Sequence, residues 1–194
     1  MGQSQSDEET QVELWQIQKL YKKFASECPS GNLHLHEFKK IFGLGTSQLS
    51  EEESEYMDSI FRSFDTNQDD AIDFLEYVAA VHLVLRGKLE DRLRWSFKVY
   101  DSDGNGLLEK HEVKHIIKII YAIKKHSGEL QGDHLTPEQI CNQIFQIVDI
   151  NQDGQISLEE FIEGAKKDEW VLDHLKLDVK PCVWFNENQS NIIE

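Results

Sequence analysis

Along the chain, apolar residues recur at the three-and-four spacing of amphipathic helices, and short acidic, asparagine- and glycine-bearing stretches interrupt them. The segment "QVELWQIQKLYKKFA" (residues 11–25) places Leu14, Ile17, Leu20 or Tyr21, and Phe24 along one stripe. Ser50 and Glu53 form an S-x-x-E capping box ahead of "SEYMDSIFRSF". Thr136 followed by Pro137 starts another helix, with the threonine as cap and the proline at the first helical position. "HEVKHIIKIIYAIKK" is an apolar-striped helix ending in Lys124 and Lys125, cations suited to the negative end of its dipole. Gly87 in "LRGKLE" marks a hinge, residues 126–135 read as a polar linker, and periodicity fades from about Lys176. The pattern divides the chain into a leading segment 1–13, a first helical unit 14–86, a second 87–175 and a tail 176–194.

Three interrupting stretches share one template: "DTNQDDAIDFLE" (65–76), "DSDGNGLLEKHE" (101–112) and "DINQDGQISLEE" (149–160). Each follows an apolar residue (Phe64, Tyr100, Val148) and each runs into a helical pattern. "SECPSGNLHLHE" (26–37) falls in the same register, so a helix–loop–helix unit occurs four times. A twelve-residue loop offering oxygens at places 1, 3, 5, 7, 9 and 12, with a turn at place 6, suits calcium, a hard cation that takes many oxygens at loose geometry. In the third unit these are Asp101, Asp103, Asn105, the carbonyl of Leu107, Glu109 and Glu112, with Gly106 at the turn. In the fourth they are Asp149, Asn151, Asp153, the carbonyl of Gln155, Ser157 and Glu160, with Gly154. The second has Asp65, Asn67, Asp69, the carbonyl of Ala71, Asp73 and Glu76, but Asp70 where a turn of positive φ is needed. Aspartate tolerates that conformation better than most residues, so binding is expected there, weakened.

The first loop keeps the frame without the ligands. Ser26 replaces the leading acid, Cys28 offers a soft sulfur, and Pro29 stiffens the turn. Leu33 at place 8 can still pair with Ile72, as Leu108 can with Ile156, in a short antiparallel ribbon between neighbouring loops. Around this silent loop sit Trp15, Tyr21, Phe24, Phe38, Ile41 and Phe42, interleaved with Lys22, Lys23, Lys39 and Lys40. Core packing absorbs most such aromatics, but one helix pair cannot bury them all. A partner-binding face is therefore expected among these residues, Trp15, Tyr21, Lys22, Lys23, Phe24 and Phe42 included.

Composition narrows the functions. The chain of 194 residues has 39% hydrophobic and 29% charged residues, the balance of a globular protein. A formal charge of −16 argues against nucleic acid and against unaided binding to anionic lipid. "MGQSQSDEET" is no secretion signal, and apolar runs such as "YVAAVHLVL" are too short to span a bilayer. Cys28, Cys141 and Cys182 lack metal spacing, which fits a reduced, cytoplasmic setting. His34, His36, His111 and His115 lack a third zinc ligand and read as surface residues, and no nucleophile–base pair suggests an enzyme. Gly2 to Ser6 fits the M-G-x-x-x-[ST] acylation pattern, which makes Gly2 a myristoylation candidate. A single myristoyl chain holds a membrane only marginally.

These residues resemble a known family. Intact second to fourth loops, a first loop broken at "CPSG", and Met1-Gly2 are similar to the neuronal calcium sensors. Within them, "YKKFASECPSG", "DFLEYVAAVHLVLRGKLE" and "NQDGQISLEEFIEGAKKDEW" resemble the guanylate cyclase-activating proteins of photoreceptors, over about residues 14–177. The resemblance implies an all-α fold of four EF-hands in two pairs, joined by short antiparallel β-links, with Ca²⁺ at three sites. It implies a calcium sensor on the intracellular region of retinal membrane guanylate cyclase, cytoplasmic at photoreceptor outer-segment membranes, and held there by the myristoyl group and the cyclase. Activators of that family carry Mg²⁺ and stimulate at low calcium, then inhibit when calcium-loaded. Leu20 stands where activators usually carry tryptophan before "YKKF", and Asp70 is a second departure. Both favour a sensor that inhibits in the high-calcium state, with the low-calcium activator as the alternative. Monomer and homodimer both stay open. A calcium buffer is the rival class, and a calmodulin-like adaptor is disfavoured because only Met1 and Met57 supply pliable methionine surface.

Overall fold

The computed structural model describes residues 3–42, 50–126, 128 and 135–177. Among them the chain runs α1 (Gln3–Glu27), β1 (Leu33–His34), α2 (Leu35–Phe42), α3 (Glu51–Phe64), β2 (Ala71–Ile72), α4 (Phe74–Arg86) and α5 (Leu89–Tyr100). It continues β3 (Leu107–Glu109), α6 (Lys110–His126), α7 (Pro137–Val148), β4 (Gln155–Ser157), α8 (Leu158–Lys167) and α9 (Glu169–Leu175). Four helix–loop–helix hands thus use α1/α2, α3/α4, α5/α6 and α7/α8.

Local chemistry sets where the helices start. Ser50 Oγ accepts from Glu53 N at 3.1 Å, and Glu53 Oε2 accepts from Ser50 N at 2.8 Å. Thr136 and Gln139 make the same reciprocal pair ahead of Pro137. Each box satisfies two amide donors that the first helical turn otherwise leaves without partners, and losing such a cap costs about 1 kcal/mol. Gly87 closes α4: its N–H donates to Leu83 O at 3.0 Å, and a Cβ there would come within 2.3 Å of that same oxygen. Its φ of −58° is ordinary, so close approach rather than a left-handed turn explains the glycine.

The loops pair through two-stranded antiparallel ribbons. Leu33 faces Ile72 and Leu108 faces Ile156, the register expected from place 8. All four side chains are buried at 0–1% exposure and form the floor on which each pair of hands rests. The two pairs share one core. α3 packs on both α5 and α6, Trp95 Nε1 donates to Ser63 Oγ at 2.8 Å, and Arg92 Nη2 donates to Val84 O at 2.6 Å. At the far end α9 seals the second pair with Val171 and Leu175, and Tyr100 OH donates to His174 O at 3.2 Å. Leu177 is buried too, its N–H donating to Ser96 Oγ at 3.0 Å, so periodicity fades before packing does.

The apolar stripe of α1 departs from expectation. Ile17 is 43% exposed and Tyr21 is 56% exposed, while Leu20, Phe24 and Cys28 face the core. α1 packs mainly against α4, through Phe74 and Tyr77, and a single neighbouring helix covers only a narrow i, i+4 line. Leu14 lies outside the residues whose side chains are described.

Candidate metal centres

The second, third and fourth loops wrap identically. At place 1, Asp65, Asp101 and Asp149 each accept from the amides of places 5 and 6, at 2.9–3.2 Å. At place 3, Asn67, Asp103 and Asn151 accept from the place-5 amide at 3.0 Å. At place 5, Asp69, Asn105 and Asp153 accept from the place-7 amide at 2.8–3.0 Å. Backbone donors thereby hold both oxygens of the place-1 carboxylate and one oxygen each at places 3 and 5, which fixes these side chains against the loop. The place-7 residues Ala71, Leu107 and Gln155 sit on the ribbon strands.

Two places per loop carry the left-handed backbone that makes this wrap possible. Place 6 has Asp70 at φ 63°, Gly106 at 83° and Gly154 at 81°, so the aspartate does adopt the required conformation. Place 4 is left-handed as well: Gln68 at 60°, Gly104 at 69° and Gln152 at 58°. The glycine of the third loop was visible at that place, but the two glutamines disguised the requirement.

The glutamate at place 12 ties each loop to its outgoing helix. Glu76 Oε1 accepts from Thr66 N and Asn67 N, while Oε2 accepts from Asp73 N. Glu160 likewise bridges Ile150 N and Ser157 N. Places 9 and 12 are themselves a capping box in the second and fourth hands, because Asp73 Oδ1 accepts from Glu76 N and Ser157 Oγ from Glu160 N. One local motif thus starts the outgoing helix and fixes two candidate ligands. In the third hand Glu112 is 2% exposed and accepts from Ser102 N, Ser102 Oγ and Glu109 N at 2.9–3.0 Å. The Ser102 hydroxyl is a contributor that the ligand places alone did not reveal.

Asp101, Asp103 and Glu112 bring one carboxylate oxygen each to within 4.8 Å of one another. Like charges held this closely call for a cation. Partial burial first, and then Asp103 and Glu112 beside it, hold the Asp101 carboxyl above the usual carboxylate range. The donor set is all oxygen, which matches calcium or magnesium and not zinc.

The first loop is built differently. α1 runs on through Ser26 and Glu27, places 1 and 2, and Cys28 N donates to Phe24 O at 2.8 Å. Ser26 Oγ turns back to Lys23 O at 2.8 Å instead of gathering loop amides. Cys28 is 1% exposed, a core residue rather than a vacated ligand, and burial lifts its thiol pKa to about 11, aided by Glu37 and Glu27. Pro29 holds place 4, and its ring fixes φ near about −65°, which forbids the left-handed turn used by the other three loops. Glu37 keeps half of its task, accepting from His34 N at 2.9 Å. Frame and ribbon survive; the wrap does not.

The expected partner face is only partly on the surface. Trp15 and Tyr21 are 52% and 56% exposed, with Ile17 between them and Lys19 stacked over the Trp15 ring at 4.8 Å. Lys22 is exposed and Lys23 half-buried. Phe24 is a correction: at 3% exposure it packs on Phe74 and Tyr77, with ring centroids 5.6 and 5.0 Å away, because it lies on the core line with Leu20. Phe42 ends α2, and its side chain lies outside the described set, as does Gly2 altogether. The histidines pair with acids or each other: His115 Nε2 with Glu55 Oε1 at 3.0 Å, His111 Nδ1 with Glu109 Oε2 at 3.2 Å, and His34 stacked on His36. Among the described residues no helix is long and apolar enough to cross a membrane.

Two family models match the chain, both described as an EF-hand domain pair, over residues 29–82 and 90–166. EF-hand pairs imply calcium binding. The chain is 52% identical to Guanylyl cyclase-activating protein 2 of Lithobates pipiens, over 97% of each chain. It is also 52% identical to Guanylyl cyclase-activating protein 2 of Gallus gallus, over 94% of this chain and 92% of that protein. Similarity to Guanylyl cyclase inhibitory protein of Lithobates pipiens is 40%, over 84% of this chain and 79% of that one.

Proposed function

The chain belongs to the guanylyl cyclase-activating protein family, calcium sensors that regulate photoreceptor guanylyl cyclase and are not themselves enzymes, and from that premise we propose how its own residues do so. Calcium is held at three sites. The ligands are Asp65, Asn67, Asp69, Ala71 O, Asp73 and Glu76; Asp101, Asp103, Asn105, Leu107 O, Glu109 and Glu112; and Asp149, Asn151, Asp153, Gln155 O, Ser157 and Glu160. The observation that carries this is the shared wrap of three loops, against a first loop whose helix overrun and Pro29 preclude it.

Calcium, when bound, would supply the positive charge that the carboxylates of Glu76, Glu112 and Glu160 are placed to answer. Each glutamate is the third residue of its outgoing helix, so a shift of its carboxylate carries the helix with it. Magnesium, an ion that favours a tighter six-fold shell, would call on these glutamates less. The first hand carries no ion and moves with the second, because Leu33 and Ile72 join them. Its exposed Trp15, Ile17 and Tyr21, with Lys22, form the contact for the intracellular region of the cyclase. A buffer would have no use for that face.

Both branches of the family lower cyclase output when calcium-loaded. Identity of 52% over nearly the full length to two activating proteins, against 40% to the inhibitory one, supports stimulation in the magnesium-bound, low-calcium state as well. Gly2 carries the myristoyl group, and stable placement at the membrane comes from the cyclase, since one acyl chain is marginal. The test is cyclase activity in stripped photoreceptor membranes across a calcium titration. We expect stimulation at low calcium that reverses between about 10⁻⁷ and 10⁻⁵ M, the range of sensor loops. Equal activity with and without the protein at both ends would overturn the proposal.

A further inference from the structure

We propose that the second and third calcium sites, which belong to different EF-hand pairs, are energetically coupled through a buried contact of Ser63 with Trp95 and Lys98. The inference rests on the three-site reading above and assigns a route by which loading of one pair is felt in the other. Within a pair, the ribbon gives an evident link. Between pairs no strand runs among the described residues, and the observed contacts pass through helices.

α3, the incoming helix of the second hand, is clasped by both helices of the third. Against α5 it places Ser63, whose Oγ accepts from Trp95 Nε1 at 2.8 Å while its backbone carbonyl accepts from Lys98 Nζ at 2.9 Å. The next residue, Phe64, stacks on the Trp95 indole at 5.6 Å between centroids and 11° between planes. Against α6 it places Glu55, which meets His115 at 3.0 Å. Asp65, the leading ligand of the second loop, follows Phe64 directly, and Trp95 and Lys98 stand on the helix that delivers Asp101.

Ser63 is 7% exposed and Trp95 8%, so the hydrogen bond is made away from water. Breaking it strands an indole N–H and leaves the hydroxyl with only its own helix, where it donates to Ile60 O at 2.6 Å. A helix held on two sides by a hinging pair cannot keep both contacts if that pair changes its angle. When α6 moves relative to α5, α3 must follow one of them, and the start of the second loop follows α3. The contacts exist with all three loops wrapped at once, so they favour joint loading. Linkage makes the effect reciprocal: the second site influences the third by the same factor.

Ser63 and Trp95 are positioning residues, since neither touches the ion. The experiment is calorimetric calcium binding to the full-length chain, resolved by site with Glu76→Gln and Glu112→Gln. Disabling the third site with Glu112→Gln is expected to weaken the second by about fivefold, within the usual range of coupling factors. In Ser63→Ala, and independently in Trp95→Phe, that dependence shrinks toward onefold. The affinity of the second site measured in the Glu112→Gln background stays unchanged. A merely structural role would lower affinity in every background and leave the ratio intact, which would overturn the proposal. So would a ratio of one in the parent, a result that spares the three-site reading. If Glu76→Gln removes no binding event from the parent, the second site itself is absent and both readings fall.

Discussion

Replacing Glu112 with glutamine separates a ligand from a structural buried acid. Three carboxylates, Asp101, Asp103 and Glu112, hold oxygens within 4.8 Å of each other. Even at the dielectric of water each pair at that distance repels by about 0.9 kcal/mol, and burial strengthens this, so neutralising Glu112 relieves at least about 1.7 kcal/mol in the ion-free protein. Against this, the new amide presents an N–H₂ to one of the donors that Glu112 now satisfies, Ser102 N or Glu109 N, at a cost of about 1–3 kcal/mol. The relief offsets much or all of that cost, so with a chelator present the variant should melt no more than a few degrees below the parent. With calcium the balance changes. A site of about 10⁻⁶ M affinity at about 1 mM free calcium stabilises the fold by about 4 kcal/mol, all of which the substitution forfeits. For a chain of this size that is a fall of about 8–16 °C in melting temperature. Calorimetric melts in calcium and in chelator are the assay. An equal fall in both conditions would show Glu112 to be a structural acid, and no fall in either would show that the loop binds nothing; each refutes the reasoning.

Other outcomes follow from the same geometry. Restoring acids to the first loop with Ser26→Asp and Cys28→Asp should add no calcium event in calorimetry. It should lower stability by about 2 kcal/mol or more in urea, because Cys28 is a fully buried core residue; an added binding event would contradict the account. Leu33→Ala should cost about 2–5 kcal/mol and weaken calcium at the second hand, though Leu33 belongs to a loop that binds none; unchanged affinity at that hand argues against the ribbon as a link. Gly87→Ala should destabilise by about 1–3 kcal/mol, since its Cβ would meet the Leu83 carbonyl at 2.3 Å; an unchanged urea midpoint shows that the chain relaxes freely there.

How much of this was legible in the sequence depends on how local the cause is. The loops, the Ser50 and Thr136 caps and the place-8 ribbons were readable because each rests on residues a few positions apart, or on a repeat that aligns itself. The left-handed place 4 was hidden because glutamine there carries no conformational signature, so the full force of Pro29 emerged only from Gln68 and Gln152. Cys28 looked like a failed ligand because loop register, not the overrun of α1, was the guide. Ile17 left its expected place because the α1 stripe was drawn without knowing that α1 packs mainly on α4, while Phe24, drawn on both the stripe and the partner face, kept only the first role. The Ser63–Trp95 contact spans 32 positions and two repeats, and no spacing rule reaches that far.

The central claim is that calcium occupancy of the second, third and fourth hands is converted into movement of a first hand that holds no ion. Hydrogen exchange across residues 15–42, compared between calcium-loaded and magnesium-bound protein, tests it most directly. The account predicts altered protection in α1 and α2 on calcium addition, abolished when Glu76, Glu112 and Glu160 are all changed to glutamine. Exchange changes confined to the three loops and their own helices, with residues 15–42 identical in both states, would contradict it.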